Sequence, residues 1–152
     1  MDADCLIKLT KAGLKSLVAE KSSLFIPAVV KREVVDIGKD KGCADAFMVE
    51  ENIEAQKITV VESSAEHLDG DEALLALFQA DRYDAVATDD AKLARRFRMH
   101  SIPHVLPALI LYRMWRHKLI ARDVALRSLE QLAGFISEEE YSTARLLVER
   151  QG

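Results

Sequence analysis

Short apolar runs rich in β-formers alternate with helical patterns through the first 106 residues, and this alternation constrains the fold more than any other feature. Leu24-Phe25-Ile26, Ile58-Thr59-Val60-Val61, Asp84 to Thr88 and Ile102 to Leu106 read as strands. Between and around them run helical spacings. Leu6 to Ala19 is one helix or two short ones broken at Gly13, and Pro27 opens a helix through Ile37 that ends near Gly38 and Gly42. Ala44 to Gln56, Asp71 to Ala80 and Asp89-Asp90 through Met99 complete the set, while Glu62 to Gly70 reads as a polar loop. Parallel strands need a long return connection, usually a helix, so this order predicts an α/β fold with a mostly parallel sheet. From Ala108 to Arg150 the signal is helix alone, with Ser137 and Glu140 spaced as a capping box.

With 152 residues, the expectation is a single domain over 1–152: an α/β core over 1–106 and a helical extension over 107–152. Unbroken apolar runs such as Ala108 to Tyr112 are far short of the ~20 residues that cross a bilayer. The acidic opening Met1-Asp2-Ala3-Asp4 predicts no secretory leader and a cytoplasmic protein. Cys5 and Cys43 offer no zinc spacing and no disulfide framework. His100 and His104 are four apart, but Pro103 prevents them from sharing one helical face. A net charge of −4 argues against binding nucleic acid by bulk electrostatics, although Arg95 to Arg98 and Arg113 to Lys118 are locally basic.

In a parallel sheet, ligands bind beyond the carboxyl ends of the strands. Asp89 and Asp90 follow a predicted strand directly, Asp71 and Glu72 open a helix, Glu33 lies in the helix after Leu24-Phe25-Ile26, and Asp2 and Asp4 precede the first helix. Carboxylates gathered at one rim repel and raise one another's pKa unless a cation joins them. Mg²⁺ and Mn²⁺ prefer carboxylate oxygen, and such ions activate water and stabilise phosphoryl oxygens. Each acid taken alone has a simpler reading: Asp71 or Asp89 as a helix cap, Glu33 as a solvated helix residue, Asp2 as a terminal charge. Their recurrence at one predicted edge points to metal-assisted phosphoryl chemistry.

Four segments in order carry a family resemblance. Asp2-Ala3-Asp4-Cys5-Leu6-Ile7, Ile26-Pro27-Ala28-Val29-Val30-Lys31-Arg32-Glu33-Val34, Gly70-Asp71-Glu72-Ala73-Leu74 and Thr88-Asp89-Asp90 with Leu93-Ala94-Arg95-Arg96 resemble the successive blocks of PIN domains. The helical tail, with Gly134-Phe135-Ile136-Ser137, is like the extension of the VapC-type toxin branch. The resemblance implies a three-layer α/β/α domain around a parallel sheet of about five strands. It also implies an endoribonuclease whose acids Asp2, Glu33, Glu72 and Asp90 hold Mg²⁺ or Mn²⁺ against an RNA phosphodiester. Asp71 and Asp89 stay open as metal ligands, because one residue of shift at a helix start changes which carboxylate faces the ion. Asp4 stands where the family usually has Ser, Thr or Asn. Together with Lys31, Arg32, Lys92, Arg95 and Arg96 it forms the candidate substrate-contact set. For the toxin branch the resemblance further implies a homodimer silenced by an antitoxin.

PIN domains normally carry an apolar strand directly before the first aspartate, and here Met1 alone precedes Asp2. Either the start lies upstream or the sheet lacks that strand. Two other readings stand beside the nuclease: a non-catalytic PIN-like module that binds RNA or protein, and a Mg²⁺-dependent phosphatase. The phosphatase would use Asp2-Ala3-Asp4 as its nucleophile segment, but the lysine and acid spacing such enzymes need is not evident.

Overall fold

The structure, a computed structural model, describes residues 1–62, 68–80 and 83–150. Helix α1 (Ala3–Lys11) begins at Asp2, whose carboxylate accepts from Cys5 N at 2.8 Å. It stops at Gly13, which takes φ +71°, a left-handed conformation open to glycine at no steric cost. Gly13 N donates to Thr10 O and Leu14 N to Leu9 O, closing a Schellman turn before α2 (Lys15–Lys21). The Gly13 interruption therefore yields two helices.

Strand β1 (Leu24–Pro27) feeds a continuous helical stretch: α3 (Ala28–Lys31), one π turn over Arg32–Asp36, and α4 (Ile37–Asp40). Gly38 lies where α4 meets α5 (Ala44–Glu54). A Cβ at Gly38 would come within 2.9 Å of Ala46 Cβ, so only glycine allows this approach. Strand β2 (Ile58–Val61) pairs with β1 in parallel, Leu24 opposite Ile58 and Pro27 opposite Val61. Of the Glu62 to Gly70 loop, residues 63–67 lie outside the described residues. Helix α6 (Gly70–Ala80), β3 (Val86–Ala87), α7 (Ala91–Met99) and β4 (His104–Val105) follow, with β3 and β4 again parallel. The helices α8 (Pro107–Arg116), α9 (Arg122–Leu132) and α10 (Glu138–Arg150) end the described chain.

The fold is thus mixed and mostly helical, with short parallel pairs as expected, but it departs from a single five-stranded sheet. Among the described residues there are two parallel pairs, β1–β2 and β3–β4. The predicted strands 84–88 and 102–106 shorten to two residues each. Among the described residues no strand pairs with β1 and β3 together; Met1 N donates to Phe25 O of β1 and Asp2 N to Ala87 O of β3.

A large apolar cluster joins Leu6 and Leu9 of α1, Ile26 of β1, Val35 of the π turn and Leu111, Leu129 and Val148 of the last three helices. The helical tail shares one core with the strand-bearing half. A second, smaller cluster holds Leu74, Val86, Leu93, Phe97 and Ile102, which fastens α6 and α7 onto β3. The capping box expected at Ser137 forms only half: Ser137 Oγ accepts from Glu140 N at 3.1 Å, but the buried Glu140 carboxylate turns away to accept from Ala108 N at 2.8 Å. It thereby caps α8, whose own N-terminal residues lack a side-chain oxygen for the purpose. Among the described residues no helix is long and apolar enough to cross a membrane.

Candidate functional site: an acid-lined cleft

Asp2, Asp4, Glu33, Asp71 and Asp90 line one cleft of about 140 Å³, with Val30, Gly70 and Leu74 at its floor and walls. Each acid arrives on a different element for a local reason. Asp2 is the N-cap of α1, and its own N–H donates to Ala87 O at 3.0 Å, which holds the start of α1 against the end of β3. Glu33 sits in the π turn, an irregular helical turn that re-aims side chains and recurs at functional sites. Gly70 leaves room for it: a Cβ there would lie 3.4 Å from Glu33 Oε2. Asp71 lies in the first turn of α6, and Asp90 is the N-cap of α7, accepting from Leu93 N at 2.7 Å.

Thr88 joins two of these acids. Fully buried just after β3, it accepts from Asp90 N at 3.1 Å and its hydroxyl donates to the Asp2 carboxylate. Sequence reading quoted Thr88 within a motif but gave it no role; its position between a strand end and two acids was the available signal. Asp69 was also missed. Its carboxylate accepts from Glu72 N at 2.8 Å, and its charge acts on both Glu33 and Asp71.

The electrostatics are those of crowded acids. Burial pushes the Asp2 carboxyl above the ordinary aspartate range, opposed by its hydrogen bonds from Thr88 and Cys5. Partial desolvation raises Glu33, with Asp69 and Asp71 adding to the rise against Arg32. Asp71 is raised by desolvation first and then by Asp69 and Asp90, with Arg96 and Lys92 opposing. A carboxyl whose folded pKa exceeds its unfolded one binds more protons when folded, so its contribution to stability is lost as pH rises through that window. In chelator, the melting temperature of Asp71→Asn should accordingly fall less than that of the parent chain as pH rises from about 4 upward. Parallel curves in a pH series of thermal melts would contradict this crowding.

The remaining candidates stand elsewhere. Asp89 does not line the cleft and is ion-paired with Lys8, though its charge acts on Asp2. Glu72 is exposed and does not line the cleft. Lys92 and Arg96 act on Asp71, Arg96 at 4.0 Å, and Arg32 acts on Glu33; Lys31 pairs with Asp36 at 3.7 Å, and Arg95 is exposed. The donor set in the cleft is all carboxylate oxygen, which suits a hard divalent cation. Among the described residues, no group of three or more His, Cys, Asp or Glu side chains already stands as a ligand cage. Side chains here would have to turn inward to hold an ion.

Fold and cleft together define a class: a mixed α/β domain that gathers carboxylates from several elements beyond its strand ends. The chain belongs to the PIN-domain family, whose model matches residues 1–150. The match is to the PIN domain as a whole and does not single out the VapC-type branch. The family generally includes nucleases, its members typically use divalent metals, and membership suggests RNA as a ligand. No curated protein and no solved structure matches the chain.

Proposed function

We propose that this protein is an endoribonuclease dependent on Mg²⁺ or Mn²⁺. The observation that carries the reading is the convergence of Asp2, Glu33, Asp71 and Asp90 on one cleft in a PIN-family chain. These four would hold the ion, with Asp71 taking the part that sequence reading gave to Glu72, and with Asp4 at the rim. When bound, a divalent cation neutralises developing charge on a phosphodiester and lowers the pKa of water toward neutrality. The protein's own contribution is positional. Thr88 and the backbone N–H of Cys5 fix the Asp2 carboxylate, and the N-cap bond to Leu93 fixes Asp90. Lys92, Arg95 and Arg96 on α7, with Lys31 and Arg32 beyond β1, supply cations for RNA phosphates; such contacts give salt-sensitive binding with little base preference.

The toxin role, with an antitoxin partner and a homodimer, belongs to the same proposal. Its support is the exposed apolar set Ile37, Phe47 and Met48 on the adjoining helices α4 and α5. Labelled single-stranded RNA incubated with the protein should be cut internally in Mn²⁺ or Mg²⁺, not in chelator, and again when metal is restored. Cleavage that persists in chelator overturns the proposal. RNA retained but never cut, with either metal, makes the protein a binding module instead.

A further inference from the structure

Asp89 and Asp90 are neighbours at the junction of β3 and α7, and both carry the carboxylate oxygen that a hard divalent cation prefers. Asp90 caps α7 and lines the acid cleft; Asp89 does neither. Instead Asp89 accepts from the ammonium of Lys8, which reaches it from α1, 81 residues earlier in the chain. Both side chains are half-buried. Lys8 stands one turn along α1 from Asp4, a cleft residue. Partial burial works against its charge, but the bond to Asp89 and the charges of Asp89, Asp4 and Glu140 outweigh burial and hold the ammonium above the ordinary lysine range. Lys8 is thus a fixed cation among acids from α1, the β3–α7 junction and α10.

The field of Asp89 reaches the cleft. Its charge acts on Asp2, the N-cap of α1, and also on Glu140 of α10. A carboxylate that acts on Asp2 and is joined to Asp90 by one peptide bond competes for any cation those two acids hold. Lys8 withdraws Asp89 from that competition by supplying its counter-charge. With Lys8 gone, Asp89 would face Asp2 and Glu140 uncompensated, and a divalent ion at the cleft would become its partner. As a stability element alone, a partly exposed ion pair of this kind contributes little.

We infer that Lys8 is a positioning residue: by holding Asp89, it leaves Asp90 as the acid that the β3–α7 junction presents to the cleft. Lys8 does not itself line the cleft and acts through Asp89. The inference rests on the divalent-cation reading proposed above and adds to it the side chain that selects between two adjacent acids.

Mn²⁺ binding, measured by titration calorimetry and by the resonance of the free ion, tests this without any activity assay. Asp90→Asn should weaken binding about 100-fold, because asparagine keeps the N-cap bond but not the charge. Lys8→Met added to Asp90→Asn should win back at least about tenfold of that loss, as Asp89 turns to the ion. Lys8→Arg in the same background keeps a cation on Asp89 and should win back none. Adding Asp89→Asn to the Lys8→Met, Asp90→Asn chain should abolish the recovery. No recovery with Lys8→Met overturns the inference and leaves the cation reading standing. So does recovery that survives Asp89→Asn, since loss of a positive charge then accounts for it. A parent chain that binds no Mn²⁺, or an Asp90→Asn chain that binds it within about threefold of the parent, overturns the inference together with the ligand assignment beneath it. Thermal melts in chelator confirm that each variant folds; if Lys8→Met does not, Lys8→Gln takes its place with the same expected outcomes.

Discussion

Glu33→Gln lowers the rate of metal-dependent RNA cleavage by more than about 100-fold, with no loss of thermal stability. Glu33 is suited to this test because it is exposed and caps no helix, so its amide has no structural bond to lose. Its carboxyl is raised by desolvation and by the charges of Asp69 and Asp71, and the isosteric amide removes that repulsion. The melting temperature in chelator should hold or rise. Asp71→Asn should behave like Glu33→Gln, since both side chains line the cleft, whereas Glu72→Gln should keep most of the activity. Initial rates in Mn²⁺ beside thermal melts in chelator separate the two effects. A Glu33→Gln rate within about threefold of the parent, or a larger loss from Glu72→Gln than from Asp71→Asn, would break the assignment of ligands to the cleft.

Phe97→Ala costs about 3–5 kcal/mol of stability and lowers the melting temperature by about 10 °C. Phe97 is wholly buried at the centre of the smaller cluster, against Leu74 of α6 and Val86 of β3, with Ile102 leading toward β4. That cluster is small, so few neighbours can collapse into the space a benzyl group leaves. The loss reaches the acids as well. Helix α7 presents Asp90 at its N-cap and α6 presents Asp71 in its first turn, and both helices rest on Phe97's cluster. Urea melts should show the loss directly, and Mn²⁺ should recover less stability in the variant than in the parent. A loss below about 1 kcal/mol would mean that α6 and α7 are held by something other than this cluster.

Much of the fold was legible from periodicity and punctuation. Pro27 after a short apolar run marked the exit from β1 into a helix, and Gly13 and Gly42 marked turns where both take φ of +71°. The cap of α7 was read one residue off: Asp89 stood as the cap candidate, and the structure gives that part to Asp90. Less legible was the sheet. A run such as Asp84 to Thr88 has strand composition over five residues, yet only Val86 and Ala87 find partners, because ladder length depends on what lies on both sides. Glu140 was equally opaque: its spacing from Ser137 suggested a local cap, and the bond it makes is to Ala108, 32 residues away.

The chain's own order of residues determined which elements form, where they turn, and that acids recur beyond the strand ends, for these follow from local backbone preference and short spacing. Tertiary packing decided which acid of each adjacent pair enters the cleft. One residue along a helix turns a side chain by about 100°, so Asp71 and Glu72 cannot both face the same point. Burial of Leu74 against β3's cluster sets the rotation of α6, and burial of Leu93 and Phe97 sets that of α7. Asp71 and Asp90 line the cleft as a result; Glu72 is left in solvent and Asp89 meets Lys8.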